Sequence, residues 1–170
     1  MELKQSFFKK NLIYSIIFSC TFISINTQIS GAKSQGNIDI PQVVSFRSAS
    51  CGCCKKWLNY LRANGLKVLD NVITDVNVIK KQYAVPNNLK SCHSAEIGNY
   101  IIEGHVPIES INKLFKKKPR ISGVAVPGMP HGSPGMEKHS HKSQSHNYES
   151  YEVISFTKSG TQKIFDKIST

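Results

Sequence analysis

The chain reads as a small α/β sheet with flanking helices, followed by a loop rich in Gly, Pro, Met and His. Two patterns carry the fold class. β-Branched runs at 42–46 and 66–73 alternate with helical repeats at 53–64 and 74–83, and a hairpin pattern at 91–103 precedes a third helical stripe. A third observation sets chemistry on that frame. Cys51-Gly52-Cys53-Cys54 places three of the five cysteines within four positions, where the first strand meets the first helix.

Each element has a local cause. Ser48-Ala49-Ser50 ends the first strand with residues suited to turns and helix caps. Trp57, Leu58, Leu61 and Ala63 recur at helical spacing, and Asn64-Gly65 stops that helix because Gly accepts the left-handed position beyond it. Thr74 or Asp75 caps the second helix, with Val76, Ile79 and Tyr83 on one face, and Ala84-Val85-Pro86 breaks it. Gly98-Asn99 is a two-residue hairpin turn. Ile108, Ile111, Leu114 and Phe115 stripe a third helix that stops before Pro119. This order is that of a thioredoxin-like fold, with Cys51 and Cys54 as the Cys-x-x-Cys pair and Pro86, whose peptide bond is permitted to be cis, as the proline beside the motif.

Residues 121–150 read as loop, punctuated by four glycines and three prolines up to Gly135. Residues 137–150 are a polar, His-rich continuation carrying His139, His141 and His146. Tyr151 to Phe156 forms a closing strand, after which Lys158-Ser159-Gly160 turns into a short tail.

Residues 1–32 have the pattern of a cleaved signal peptide. Lys4, Lys9 and Lys10 precede an apolar stretch at 11–25, and Ser30-Gly31-Ala32 supplies a small-residue cleavage site. The stretch is shorter than the roughly 20 apolar residues a membrane span needs. Cys20 offers an alternative, a lipidated N-terminus. Residues 33–41 are a flexible lead-in, so the domain runs from 42 to 170 and is periplasmic or secreted. Cleavage removes three of 22 basic and one of 11 acidic residues, leaving a net charge of +9. That balance invites a nucleic-acid partner. Export and the scattered lysines argue against one, and Lys116-Lys117-Lys118 is better explained as the cationic end of a helix.

A thiol at a helix N-terminus faces free N–H groups that favour the thiolate, the form that both attacks disulfides and binds metal. Cys51 and Cys54 would be the catalytic pair of a thiol–disulfide oxidoreductase, with Cys51 attacking and Cys54 or Cys92 resolving. Cys53 is surplus to such a pair. If Cys92 approaches, Cys51, Cys53, Cys54 and Cys92 form a soft-metal nest suited to Cu(I), zinc or iron–sulfur chemistry. Met129 and Met136, with His131 between them, favour Cu(I) over zinc because thioether is a poor zinc ligand. His93 is a further ligand candidate, although strand alternation would turn it away from Cys92. His105 reads as a structural turn residue. The bland alternative is a disulfide, most simply between Cys92 and one member of the cluster.

Three blocks carry a family resemblance: Cys51-Gly52-Cys53-Cys54-Lys55-Lys56-Trp57; Ser91-Cys92-His93-Ser94-Ala95 with Tyr100 to Pro107; and Ala125 to Glu137. Together they resemble the bacterial family catalogued as a domain of unknown function and known as CopG-type metal-binding or copper-resistance proteins. The resemblance spans about Val43 to Phe156. It implies an exported, thioredoxin-like copper-binding protein associated with copper tolerance, working with copper ions and with another periplasmic copper-handling protein. Cys51, Cys53, Cys54 and Cys92 would be its metal or redox centre. The His/Ser/Lys stretch after Glu137 departs from the family pattern and reads as an insertion.

Overall fold

A computed structural model of the chain describes residues 38–137 and 149–169. The expected signal peptide, Cys20, residues 33–37 of the lead-in, and His139, His141 and His146 lie outside the described residues. The elements run β1 (Val43–Arg47), α1 (Gly52–Ala63), β2 (Val68–Val72), α2 (Asn77–Gln82), a single 3₁₀ turn (Asn87–Leu89), β3 (His93–Ile97), β4 (Tyr100–Glu103), α3 (Ile108–Lys117), β5 (Gly123–Ala125), β6 (Tyr151–Phe156) and β7 (Gln162–Ile168). The strands form one mixed sheet in the order β2-β1-β3-β4-β5-β6-β7. The class is α/β and thioredoxin-like, as the element order predicts.

Alternation along the strands divides the core between the two faces of the sheet. Val43, Ala95, Ile97, Ile102 and Val124 pack with Trp57, Leu58 and Leu61 of α1 and Ile111, Leu114 and Phe115 of α3. Their neighbours Ile101 and Ala125 point the other way, into a smaller cluster with Val85, Leu89 and Phe156. Two bonds fasten α1 to the segment that opens α3. The Trp57 indole N–H donates to the Val106 carbonyl at 2.9 Å, and the Tyr60 hydroxyl accepts from the Ile108 amide at 3.0 Å. The second bond caps α3, whose Pro107 has no side-chain group to offer.

Three expectations need correction. Residues 123–125 are not loop but a strand inside the sheet, hydrogen-bonded to both β4 and β6. The glycine that reads as a breaker is needed for spacing, since a Cβ on Gly123 would collide with the Ile101 carbonyl oxygen and sit 2.9 Å from the Phe156 ring. The tail is likewise a strand, β7, held on β6 by a bulged ladder and on α3 by Lys113 and Ser110 bonding Asp166. Its exposed edge position leaves it without the alternation that betrays a strand. In α2 the buried residue is Lys80 rather than Ile79 or Tyr83. Asp75 does assist that helix, its carboxylate accepting from the Asn77 amide. All described peptide bonds are trans, Pro86 included.

Replacing Gly123 by Ala should lower stability by about 2–3 kcal/mol, because the clash is with backbone that cannot step aside. Urea unfolding measures this, and an unchanged midpoint would mean that β4 and β5 are further apart than described.

Candidate metal centre

The sheet register brings the sequence-distant thiols together. Arg47 at the end of β1 pairs with His93 at the start of β3, so Cys51–Cys54 and Cys92 emerge at the same end of the sheet. Ser94 pairs with Glu103, and Glu103 with Ala125, which adds His105 and the segment after Ala125 at that end. Four chain segments thus meet at one corner.

Cys51 is the N-cap of α1, and its sulfur accepts the Cys54 amide at 3.3 Å. The sulfurs of Cys51 and Cys54 are in bonding contact, with Cα atoms 5.4 Å apart, while Cys53 and Cys92 are free. The simplest pairing expected from sequence, Cys92 with a cluster member, is therefore not the one adopted. Cys92 nevertheless comes close. Its sulfur lies 3.3 Å from that of Cys54 and 3.9 Å from that of Cys53, and the sulfurs of Cys51 and Cys53 are 3.6 Å apart. All four sulfurs lie within 4.8 Å of one another.

These separations suit a soft metal. Metal–sulfur bonds of about 2.3 Å in a tetrahedron hold thiolates about 3.8 Å apart, close to what the free contacts already show. Loading all four sulfurs requires the Cys51–Cys54 contact to open as two thiolates. Cys54 is fully buried and the other three are half-buried, so the nest is shielded without being sealed.

Histidines line the inner side. Cys92, His93 and His105 form a second group whose ligand atoms converge within the same limit. His93 Nδ1 lies 3.7 Å from the Cys92 sulfur and His105 Nε2 4.0 Å from it. The alternation argument against His93 fails because Cys92 precedes β3, so the strand's two-residue period has not begun there. His93 is wholly buried against the Trp57 ring, centroids 4.5 Å apart, and its Nε2 makes no hydrogen bond among the described residues. Burial, reinforced by His105 and Lys80, holds its pKa well below the usual value, and burial lowers that of His105. Neutral imidazoles are the metal-binding form. His105 is the residue that sequence reasoning missed; its Nδ1 is held 2.7 Å from the Pro134 carbonyl, which leaves Nε2 toward Cys92.

Pro134 belongs to a strap lying across the start of α1. Ser133, Pro134 and Gly135 are buried, and a Cβ on Gly135 would come within 2.8 Å of the Trp57 amide and 3.0 Å of the Cys53 carbonyl. Glu137 closes the strap by accepting from the Gly135 amide through both oxygens. Met136 is half-buried beside it, whereas Met129 is 54% exposed. His131 is half-buried and stands outside both convergent groups. No helix among the described residues is long and apolar enough to cross a membrane.

Residues 89–136 match the family model described as a protein of unknown function, DUF411. No curated protein matches the chain. Two solved structures are similar to it. One is titled copper resistance protein CopG, form 2, at 39% identity and a TM-score of 0.68, covering 76% of this chain and 99% of that one. The other is titled form 1 of the same protein, at 38% identity and a TM-score of 0.68, covering 78% and 100%.

Two outcomes follow from the geometry. Burial, with the neighbouring Cys53 next in effect, pushes the Cys92 thiol up to about 11, so it stays protonated through pH 9. Alkylation of Cys92 in metal-free protein should rise about tenfold per pH unit from 7 to 10; a plateau below pH 9 would contradict its burial. Gly135→Ala should loosen the strap, costing about 1–3 kcal/mol through overpacking at a positive-φ position and accelerating Cys53 alkylation. Unchanged labelling would show that the strap does not cover the cluster.

Proposed function

The chain belongs to the copper resistance protein CopG family, and on that premise we propose that it is an exported copper-binding protein holding Cu(I) through clustered thiolates. Cys51, Cys53, Cys54 and Cys92 are the metal ligands in this reading, with His93 behind them. Met136 and His131 contribute a soft lid, and Met129 an outer donor. The observation that carries the reading is the convergence of four sulfurs, one more pair than disulfide exchange needs. Thiolates of this number select soft ions such as Cu(I), with zinc second. The protein works in copper handling or resistance, passes copper ions to or from another periplasmic copper protein, and carries residues 1–32 as a signal peptide with 42–170 as the metal-binding domain.

One observation favours a second reading. The bonding contact of Cys51 with Cys54 is the resting arrangement of a thiol–disulfide oxidoreductase in which Cys51 attacks and Cys54 resolves. The two readings exclude each other at any instant, because sulfurs joined to one another are not thiolate donors. Adding two electrons opens the disulfide to two thiolates, which either bind metal or take up two protons; removing those two electrons re-forms the disulfide, so thiol oxidation would expel metal.

Native mass spectrometry of the reduced chain with Cu(I), against a competing chelator, tests the assignment. Copper should be retained, and Cys53→Ser should weaken retention about tenfold or more while a Cys51–Cys54 disulfide still forms and reduces. Failure to retain copper, together with turnover of a dithiol substrate, would replace the first reading by the second.

A further inference from the structure

Cys92 lies just outside β3, so no strand ladder holds its backbone in place. The ladder reaches His93 beside it, and a buried carboxylate takes over from there. Glu103, wholly buried in β4, accepts the Ser91 amide at 2.6 Å through Oε1 and the Ser94 hydroxyl at 2.6 Å through Oε2, and its Oε1 shares the Ser91 hydroxyl proton, at 2.9 Å, with the His93 carbonyl, at 3.0 Å. One side chain therefore grips the chain on both sides of Cys92. Lys80, also buried, reaches in from α2 to pair with Glu103 Oε1 and to donate to the Ser94 hydroxyl at 2.9 Å.

The energetics argue that this arrangement serves placement. Taking an ammonium and a carboxylate out of water costs more than their attraction reliably returns, and apolar residues of similar volume are often as stable or more so. What an apolar pair could not supply is the set of directed bonds to Ser91 and Ser94. We propose that Glu103, charge-balanced by Lys80, is a positioning residue that sets Cys92 against the Cys51–Cys54 segment. The inference rests on Cys92 being a working member of the four-sulfur site.

Its test needs no copper. In full chain carrying Cys51→Ser and Cys53→Ser, the remaining partners at the site are Cys54 and Cys92, and their equilibrium disulfide formation against a glutathione redox buffer reports how well the two sulfurs are placed. Lys80→Met with Glu103→Leu should leave a folded protein yet lower that equilibrium constant about tenfold or more, since misplacement by about 1 Å is that damaging to a positioned reaction. Lys80→Met with Glu103→Gln, which keeps an acceptor for the Ser91 amide, should recover most of the loss. Removing the distant pair, Lys113→Met with Asp166→Leu, should change unfolding alone. Should the Leu variant fail to fold, Ser91→Ala removes one grip without stranding a charge and should lower the constant about threefold. An unchanged constant in a folded Leu variant, or in Ser91→Ala, overturns the proposal. Cu(I) titration of the parent chain is read separately, so loss of the copper reading is distinguishable from loss of this one.

Discussion

The site depends first on a single buried hydrogen bond, from the Trp57 indole to the Val106 carbonyl. Trp57 sits one turn into the helix that carries three cysteines, and Val106 follows His105 on the far side of the corner. The bond therefore fixes helix against strand end, and the indole ring supplies the wall against which His93 is buried. A phenylalanine is smaller, so it would leave part of the space empty and also strand the Val106 carbonyl in the core, the lost bond alone costing about 1–3 kcal/mol.

Around that anchor, electrostatics and burial act in opposite senses on the sulfurs. The open N-terminus of α1 offers N–H groups to Cys51, an environment that would favour a charged sulfur once the Cys51–Cys54 contact is opened. Cys92, on the other wall, is half-buried, and that burial pushes its thiol up to about 11. A metal cation would resolve the conflict by taking the place of the proton with a charge that both walls accept, since a coordinating thiol is deprotonated outright. The neutral histidines behind Cys92 suit such a cation better than they suit a bare thiolate, to which they would offer little charge compensation.

Much of this could be read from the residues. Periodicity located α1 and α3, because each buries one regular face, whereas the β3–β4 hairpin, buried on both faces, was legible from its Gly98-Asn99 turn. Gly123 to Ala125 escaped notice because a three-residue strand is too short to show a period, and its glycine answers to a neighbouring backbone rather than to a turn. Lys80 escaped because its partner, Glu103, lies 23 residues away and only the fold joins them. The cysteines were legible by their clustering, and Cys92 by its block. His105 was within reach: counting outward from the Gly98-Asn99 turn, the register that pairs Ser94 with Glu103 sets Cys92 opposite His105. The identity of a turn residue mattered less than its place in the hairpin count.

The strap between β5 and β6 has a property that bears on how this protein can vary. Glu137 is tied to Gly135, and the Glu149 amide donates to the His131 carbonyl at 3.2 Å. Positions 137 and 149 are thus both stapled to the strap. Closing a loop whose ends are already anchored becomes costlier only slowly, about 0.6 kcal/mol for each doubling of length. Positions 137 and 149 therefore bound a graft point: sequence between them can be lengthened, shortened or exchanged at little cost to the sheet.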